Sequence, residues 1–177
     1  MANINCLGID PGANGGLCFL SGQRLYDTPM PKTVEEMYCY LDDLRNDHGN
    51  FVTFIERVSH WVADTDSPGK KFGIAKLIKN YDQLTTMLLI NNFPTVAVSP
   101  QTWQRTIIEM GYNPKTYKNK KNCWKHFAME RFNKILTLKT ADAACIAWWG
   151  KQQVVGRPSW VLDNLQNKST RSLFIKQ

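Results

Sequence analysis

Three acidic residues stand where a folded chain could bring them together. Asp10 closes the apolar run in "NINCLGIDPGANGG", Glu56 closes another in "NFVTFIE", and Asp142 opens the apolar stretch in "KTADAACIAWWG". Three carboxylates converging on one point repel one another unless a cation lies between them. A ligand set made only of carboxylate oxygens selects a hard ion, here Mg²⁺ or Mn²⁺. A pair of such ions activates a water and stabilises the leaving oxygen of a phosphodiester. The substrate of that chemistry is a polyanion. The chain carries 22 Lys and Arg against 15 Asp and Glu, a formal charge of +7, which attracts one. Each acid alone has an ordinary reading. Asp10-Pro11-Gly12 suits a turn, Glu56 could pair with Arg57, and Asp142 suits the first turn of a helix. Their joint placement at the ends of elements in one α/β topology points instead to a site.

The elements that must position these acids are legible in outline. Residues 4–9 read as a buried strand, 16–20 as its hairpin partner and 23–28 as a third strand. Apolar residues at helical spacing run from Thr33, a candidate N-cap with Glu36 three residues on, to about Asn46. A short strand follows at 51–55 and a polar loop at 57–72. A long helix starts at Gly73 and ends at "NNFP". A strand at 95–99 leads into a helix with Pro100 in its first turn. After the basic loop "GYNPKTYKNKK" come a helix at 122–132 and a last apolar helix from Thr140 that Gly150 ends. Hairpin strands followed by strand–helix alternation predict an α/β domain with a mixed sheet. Residues 1–150 form that domain, and 151–177 are a basic C-terminal extension.

Composition narrows the class. At 177 residues and 43% hydrophobic, the chain suits one globular domain. No run approaches the roughly 18 apolar residues of a membrane span, and no signal peptide is visible, which points to the cytosol. The five cysteines form no CxxC pair and the three histidines lack metal-ligand spacing, so reduced structural thiols are expected rather than zinc.

"GIDPGANGG", "FIERV" and "KTADAACIAWWG", together with "SPQTWQ", resemble in kind and order the motifs of RuvC-type Holliday junction resolvases. The likeness is nearest to bacteriophage RuvC-like endonucleases, and it covers about residues 3–150. It implies an RNase H-like fold with a mixed five-stranded sheet flanked by helices. It also implies a homodimer joined through the 73–91 helix, and two Mg²⁺ or Mn²⁺ ions per active site. The implied activity is paired hydrolytic nicking of four-way DNA junctions, in a bacterial host cell if the source is a phage. Asp10, Glu56 and Asp142 match the metal ligands. The fourth ligand of the family falls at Lys139, which cannot ligate a metal while protonated. Fewer protein ligands, Lys139 acting on the scissile phosphate or the attacking water, or a substitute from elsewhere would each accommodate this. The second is preferred, with Lys139 one turn from Asp142 on the same helix side.

Lys115, Lys118, Lys120, Lys121 and Lys125 are interleaved with Tyr112, Tyr117 and Trp124, a pattern that suits phosphate contacts and base stacking. The resemblance implies that Lys118 or Lys121 meets the scissile phosphate. It also implies that the loop after Glu56, with Arg57, Trp61, Lys70 and Lys71, nears the junction centre, where Trp61 could wedge base pairs. Trp103, Trp148 and Trp149 read as core or dimer contacts. Flaps, forks or other branched DNA, or junction binding without cleavage, are the alternatives.

Overall fold

A computed structural model of the chain describes residues 4–58 and 68–155. Five strands, β1 (Asn5–Asp10), β2 (Gly16–Ser21), β3 (Arg24–Pro29), β4 (Phe51–Glu56) and β5 (Thr95–Val98), form one sheet in the order β3-β2-β1-β4-β5. The hairpin pairs β1–β2 and β2–β3 are antiparallel, and β1–β4 and β4–β5 are parallel. Helices α1 (Val34–His48), α2 (Pro68–Ile90), α3 (Pro100–Glu109), α4 (Lys120–Phe132) and α5 (Ala141–Val154) complete the fold. The mixed five-stranded sheet flanked by helices is the architecture expected from the sequence.

Strand alternation sorts the side chains onto two faces. Leu7, Ile9, Phe51 and Ile55 join Met37, Leu41, Leu84 and Leu88 in one core under α1 and α2. Cys6, Val52 and Phe54 join Trp103, Trp124, Phe127 and the α5 alanines in the other. By the same parity Asp10 shares the α5 face with Cys6 and Gly8, and Glu56 shares it with Val52 and Phe54. The β1–β4 register pairs Ile9 with Ile55. One further step along it sets Asp10 beside Glu56.

One capping partner and three helix boundaries differ from expectation. Thr33 caps α1 as read, its hydroxyl accepting from the Glu36 N–H at 3.1 Å, but the Glu36 carboxylate accepts from the Lys32 N–H. Helix α2 begins at Pro68 rather than Gly73, because Pro68 is tolerated in a first turn and Lys70, Lys71 and Phe72 continue it. Helix α4 begins at Lys120, capped by the Asn119 side chain, so Lys120 and Lys121 are helical. Gly150 does not end α5, which runs on to Val154. Its absent side chain admits the Phe54 ring: a Cβ there would lie 2.2 Å from the ring edge.

The closest approach lies between α5 and β1. A Cβ on Gly8 would stand 2.1 Å from the Ala143 carbonyl oxygen and 2.4 Å from the Ala147 amide nitrogen. Both neighbours are backbone, so neither can swing aside. Gly8→Ala is therefore expected to cost about 3 kcal/mol or more of stability. Gly73→Ala, at a helical position with open space around it, is expected to gain up to about 1 kcal/mol. Denaturant midpoints of the two variants check this, and equal shifts would refute the tight α5–β1 contact.

Candidate active site

The hairpin after β1 is shaped around a carboxylate. Asp10 is 8% exposed, and its Oδ1 accepts from the Gly12 N–H at 3.2 Å. A Cβ on Gly15 would meet the Asp10 carbonyl oxygen at 2.2 Å and the Asp10 carboxyl carbon at 2.7 Å. Only glycine fits there, which accounts for part of the glycine run.

Asp142 arrives from above, in the first turn of α5, where the helix dipole favours an acid. The turn before it is anchored to β3. The Thr140 hydroxyl donates to Asp27 Oδ2 at 2.9 Å, and Lys134 Nζ stands 2.6 Å from Asp27 Oδ1. Asp142 is 7% exposed, and its Oδ1 is buried with no hydrogen-bond partner.

Between the two aspartates stands Lys121. Its Nζ lies 3.0 Å from Asp142 Oδ2 and 3.5 Å from Asp10 Oδ2. Burial lowers the Lys121 pKa, but Asp142 and Asp10 raise it further, so the net shift is upward and the group stays charged. Burial lifts the Asp142 carboxyl, against the pull of Lys121. The pair of buried carboxylates thus already calls for a cation, and the protein supplies one of its own.

Glu56, half-buried at the end of β4, is held differently. Its Oε2 accepts from the Trp103 indole N–H at 2.9 Å. Burial, then the charge of Asp10, pushes its pKa to about 7, with the Trp103 hydrogen bond opposing. The sequence reads Trp103 as a core or dimer contact; its ring is core, at 0% exposure, and sequence reasoning missed the contact with Glu56. The only signal was generic: a buried indole N–H usually finds a partner, without saying which.

A divalent cation suits the chemistry of this donor set. It is all carboxylate, its charges are unbalanced without a cation, and one buried Asp142 oxygen is unpartnered. As placed among the described residues, however, no three His, Cys, Asp or Glu side chains stand together closely enough to hold an ion. Asp10 and Asp142 share Lys121, while Glu56 is turned to Trp103.

The remaining predicted residues are spread around this centre. Lys139 is exposed in the turn before α5, not on the helix, so the placement that favoured it one turn from Asp142 is not realised. The chain turns there to dock on β2, with the Lys139 carbonyl against Gly16. Lys121, from α4, is the lysine that reaches the acids. Lys118 and Lys120 are exposed beside it, and Lys125 is half-buried one turn along α4. Tyr117 packs against the core, and its hydroxyl meets His126 Nδ1 at 2.6 Å. Trp124 is core, at 1% exposure. Arg57 follows β4, its N–H donating to the Val98 carbonyl at 2.7 Å. Lys71 is exposed on α2. Trp61 lies outside the described residues, as does the Lys70 side chain.

Among solved structures, the chain is similar to T. thermophilus RuvC in complex with Holliday junction substrate. The TM-score is 0.58 at 10% identity, covering 86% of this chain and 96% of that one. It is also similar to a second Thermus thermophilus RuvC structure, with a TM-score of 0.48 at 14% identity, covering 81% and 91%. No described protein family and no curated protein matches the chain in sequence. The likeness establishes the RuvC-type, RNase H-like fold. No helix among the described residues is long and apolar enough to cross a membrane.

The Glu56 environment has a consequence for stability. A carboxyl whose pKa rises on folding, here from 4.5 to about 7, is held protonated by the native state. Stability therefore falls as pH climbs through that window and stays lower above it. Glu56→Gln, which retains an acceptor for Trp103, is expected to stabilise the protein in EDTA at pH 8 by roughly 1–3 kcal/mol. It should have little effect at pH 4. Urea unfolding at the two pH values measures this, and an equal gain at both would contradict it.

Proposed function

We propose that this protein is a metal-dependent endonuclease that resolves four-way DNA junctions by paired hydrolytic nicks. The observation that carries the reading is the meeting of Asp10 and Asp142 across the end of β1, with Glu56 on the neighbouring strand end and a lysine ammonium between the two aspartates. In this reading Asp10, Glu56 and Asp142 hold Mg²⁺ or Mn²⁺, two ions per site. Held there, such ions would supply activation of a water and stabilisation of the leaving 3′-oxygen.

The chain's own residues do the rest. Gly12 fixes one oxygen of Asp10, and α5 presents Asp142 from the opposite side. Lys121, released from the aspartates, lies within reach of the scissile phosphate, the role the sequence divided among Lys118, Lys121 and Lys139. Lys118, Lys120 and Lys125 extend the positive surface along α4 for phosphate contacts, with Tyr117 beside them. Arg57 and Trp61, from the segment between β4 and α2, and Lys70 and Lys71, in the first turn of α2, approach the junction. A homodimer joined through α2 presents two sites to a two-fold substrate. The products carry 5′-phosphate and 3′-hydroxyl ends.

One observation favours a second reading, junction binding without cleavage: Lys121 already offsets part of the charge of the acidic pair, and among the described residues no three acids are drawn together. Labelled four-way junctions, forks, flaps and linear duplex, incubated with Mg²⁺, Mn²⁺ or EDTA, separate the two. Symmetric paired nicks on the junction are expected with metal. They should be lost in EDTA and reduced at least about 100-fold in Asp10→Asn. Tight junction binding with no cutting in either metal would establish the second reading. Preferential cutting of flaps or forks would keep the chemistry and change the substrate.

A further inference from the structure

We propose that Trp103 is a positioning residue for Glu56: its indole N–H holds one carboxylate oxygen and leaves the other to meet a metal ion. The inference rests on the reading of Glu56 as a metal-holding carboxylate.

The hydrogen bond is 2.9 Å long, and it joins a fully buried ring to a half-buried acid. Each end is fixed independently. Glu56 is the last residue of β4, paired with Val98 of β5. Trp103 sits one turn into α3, whose start is set directly after β5 by the Ser99 cap and Pro100. Its ring packs edge-on against Trp124 at 5.4 Å, and Trp124 belongs to α4, the helix that carries Lys121. The indole therefore has no freedom to follow the carboxylate. The carboxylate must settle on the indole.

Packing alone does not demand this contact. Trp124 and Trp148 are also buried, and both leave the indole N–H without a partner. Trp103 is the one of these three to face an acid. The chemistry of the donor also suits the task. An indole N–H is neutral, so it orients a carboxylate without adding a positive charge that would compete with a metal. Lys121 does the opposite to Asp10 and Asp142. A carboxylate ordered in advance loses less rotamer freedom when an ion binds, and partners of this kind typically contribute 10–100-fold to metal affinity.

The test is Mn²⁺ binding to the full chain without DNA, followed by the EPR signal of free Mn²⁺. The proteins are wild type, Asp10→Asn, Trp103→Phe, Glu56→Gln and the Trp103→Phe/Glu56→Gln double variant. Phenylalanine keeps a ring in the core but removes the N–H together with part of the indole's bulk, and the Glu56→Gln background separates the two losses. Trp103→Phe is expected to weaken Mn²⁺ binding about 10–100-fold, with four-way junction binding in EDTA unchanged. In the Glu56→Gln background it should cause no further loss. Wild-type affinity in Trp103→Phe would overturn the inference, as would an equal loss with and without Glu56. If the wild type binds Mn²⁺ no better than Asp10→Asn, the metal reading falls, and this inference falls with it. Should Trp103→Phe fail to fold, ¹⁵N indole spectra of the wild type decide. The resonance displaced in Glu56→Gln must also move on saturation with Mg²⁺, and a resonance that stays still refutes the proposal.

Discussion

The candidate site depends on how closely α5 can lie on β1. Gly8 has no side chain, Ala143 and Ala147 have the smallest ones, and together they let helix backbone touch strand backbone. That approach sets the height of Asp142 above the sheet, because Asp142 is one residue from Ala143 in the same turn. Gly150 permits the same intimacy further along, where Phe54 fills the space a side chain would take. Tightly packed interiors transmit small volume changes. A methyl group at Gly8 would therefore act on the distance between Asp10 and Asp142 although it touches neither.

The contact creates an electrostatic debt that the rest of the site manages. Asp10 and Asp142 are nearly buried, and unpaired buried charges are costly. Lys121 offsets the cost for these two at 3.5 and 3.0 Å. Glu56 receives only a neutral donor, and burial together with Asp10 keeps its proton on up to about pH 7. Carboxylates gathered with less positive charge than they carry negative are costly to hold in place, and such costs are typical where function is kept at the expense of stability. The anchoring of the turn before α5 through Asp27, Lys134 and Thr140 resists the repulsion mechanically.

Each misplaced boundary has an identifiable physical cause. Gly150 looks like a helix stop because glycine favours helix ends, but its position was selected by the Phe54 ring packed against it. The polar run 57–72 reads as a loop, yet α2 begins at Pro68, because proline is well tolerated in a first helical turn. Lys139 was placed on α5 by counting back one turn from Asp142, and the helix begins two residues after it because the 137–140 turn is tied to β2 and β3. For Gly150 and for Lys139 a local reading is overruled by a contact distant in the chain.

The sequence by itself determined the strands, the helices and the acids at their ends. Period-two and period-3.6 apolar patterns are local consequences of which faces are buried, and strand-terminal Asp10 and Glu56 and helix-initial Asp142 are visible within single motifs. The mixed sheet followed from the alternation of elements and the RNase H-like architecture from the motif resemblance, while the order of the strands is seen only in the structure. Only the tertiary structure decided which lysine meets the acids and what holds Glu56. Lys121 is 111 residues from Asp10 and Trp103 is 47 residues from Glu56. Neither pairing leaves a periodicity in the chain, because each depends on where α3 and α4 come to rest on the sheet.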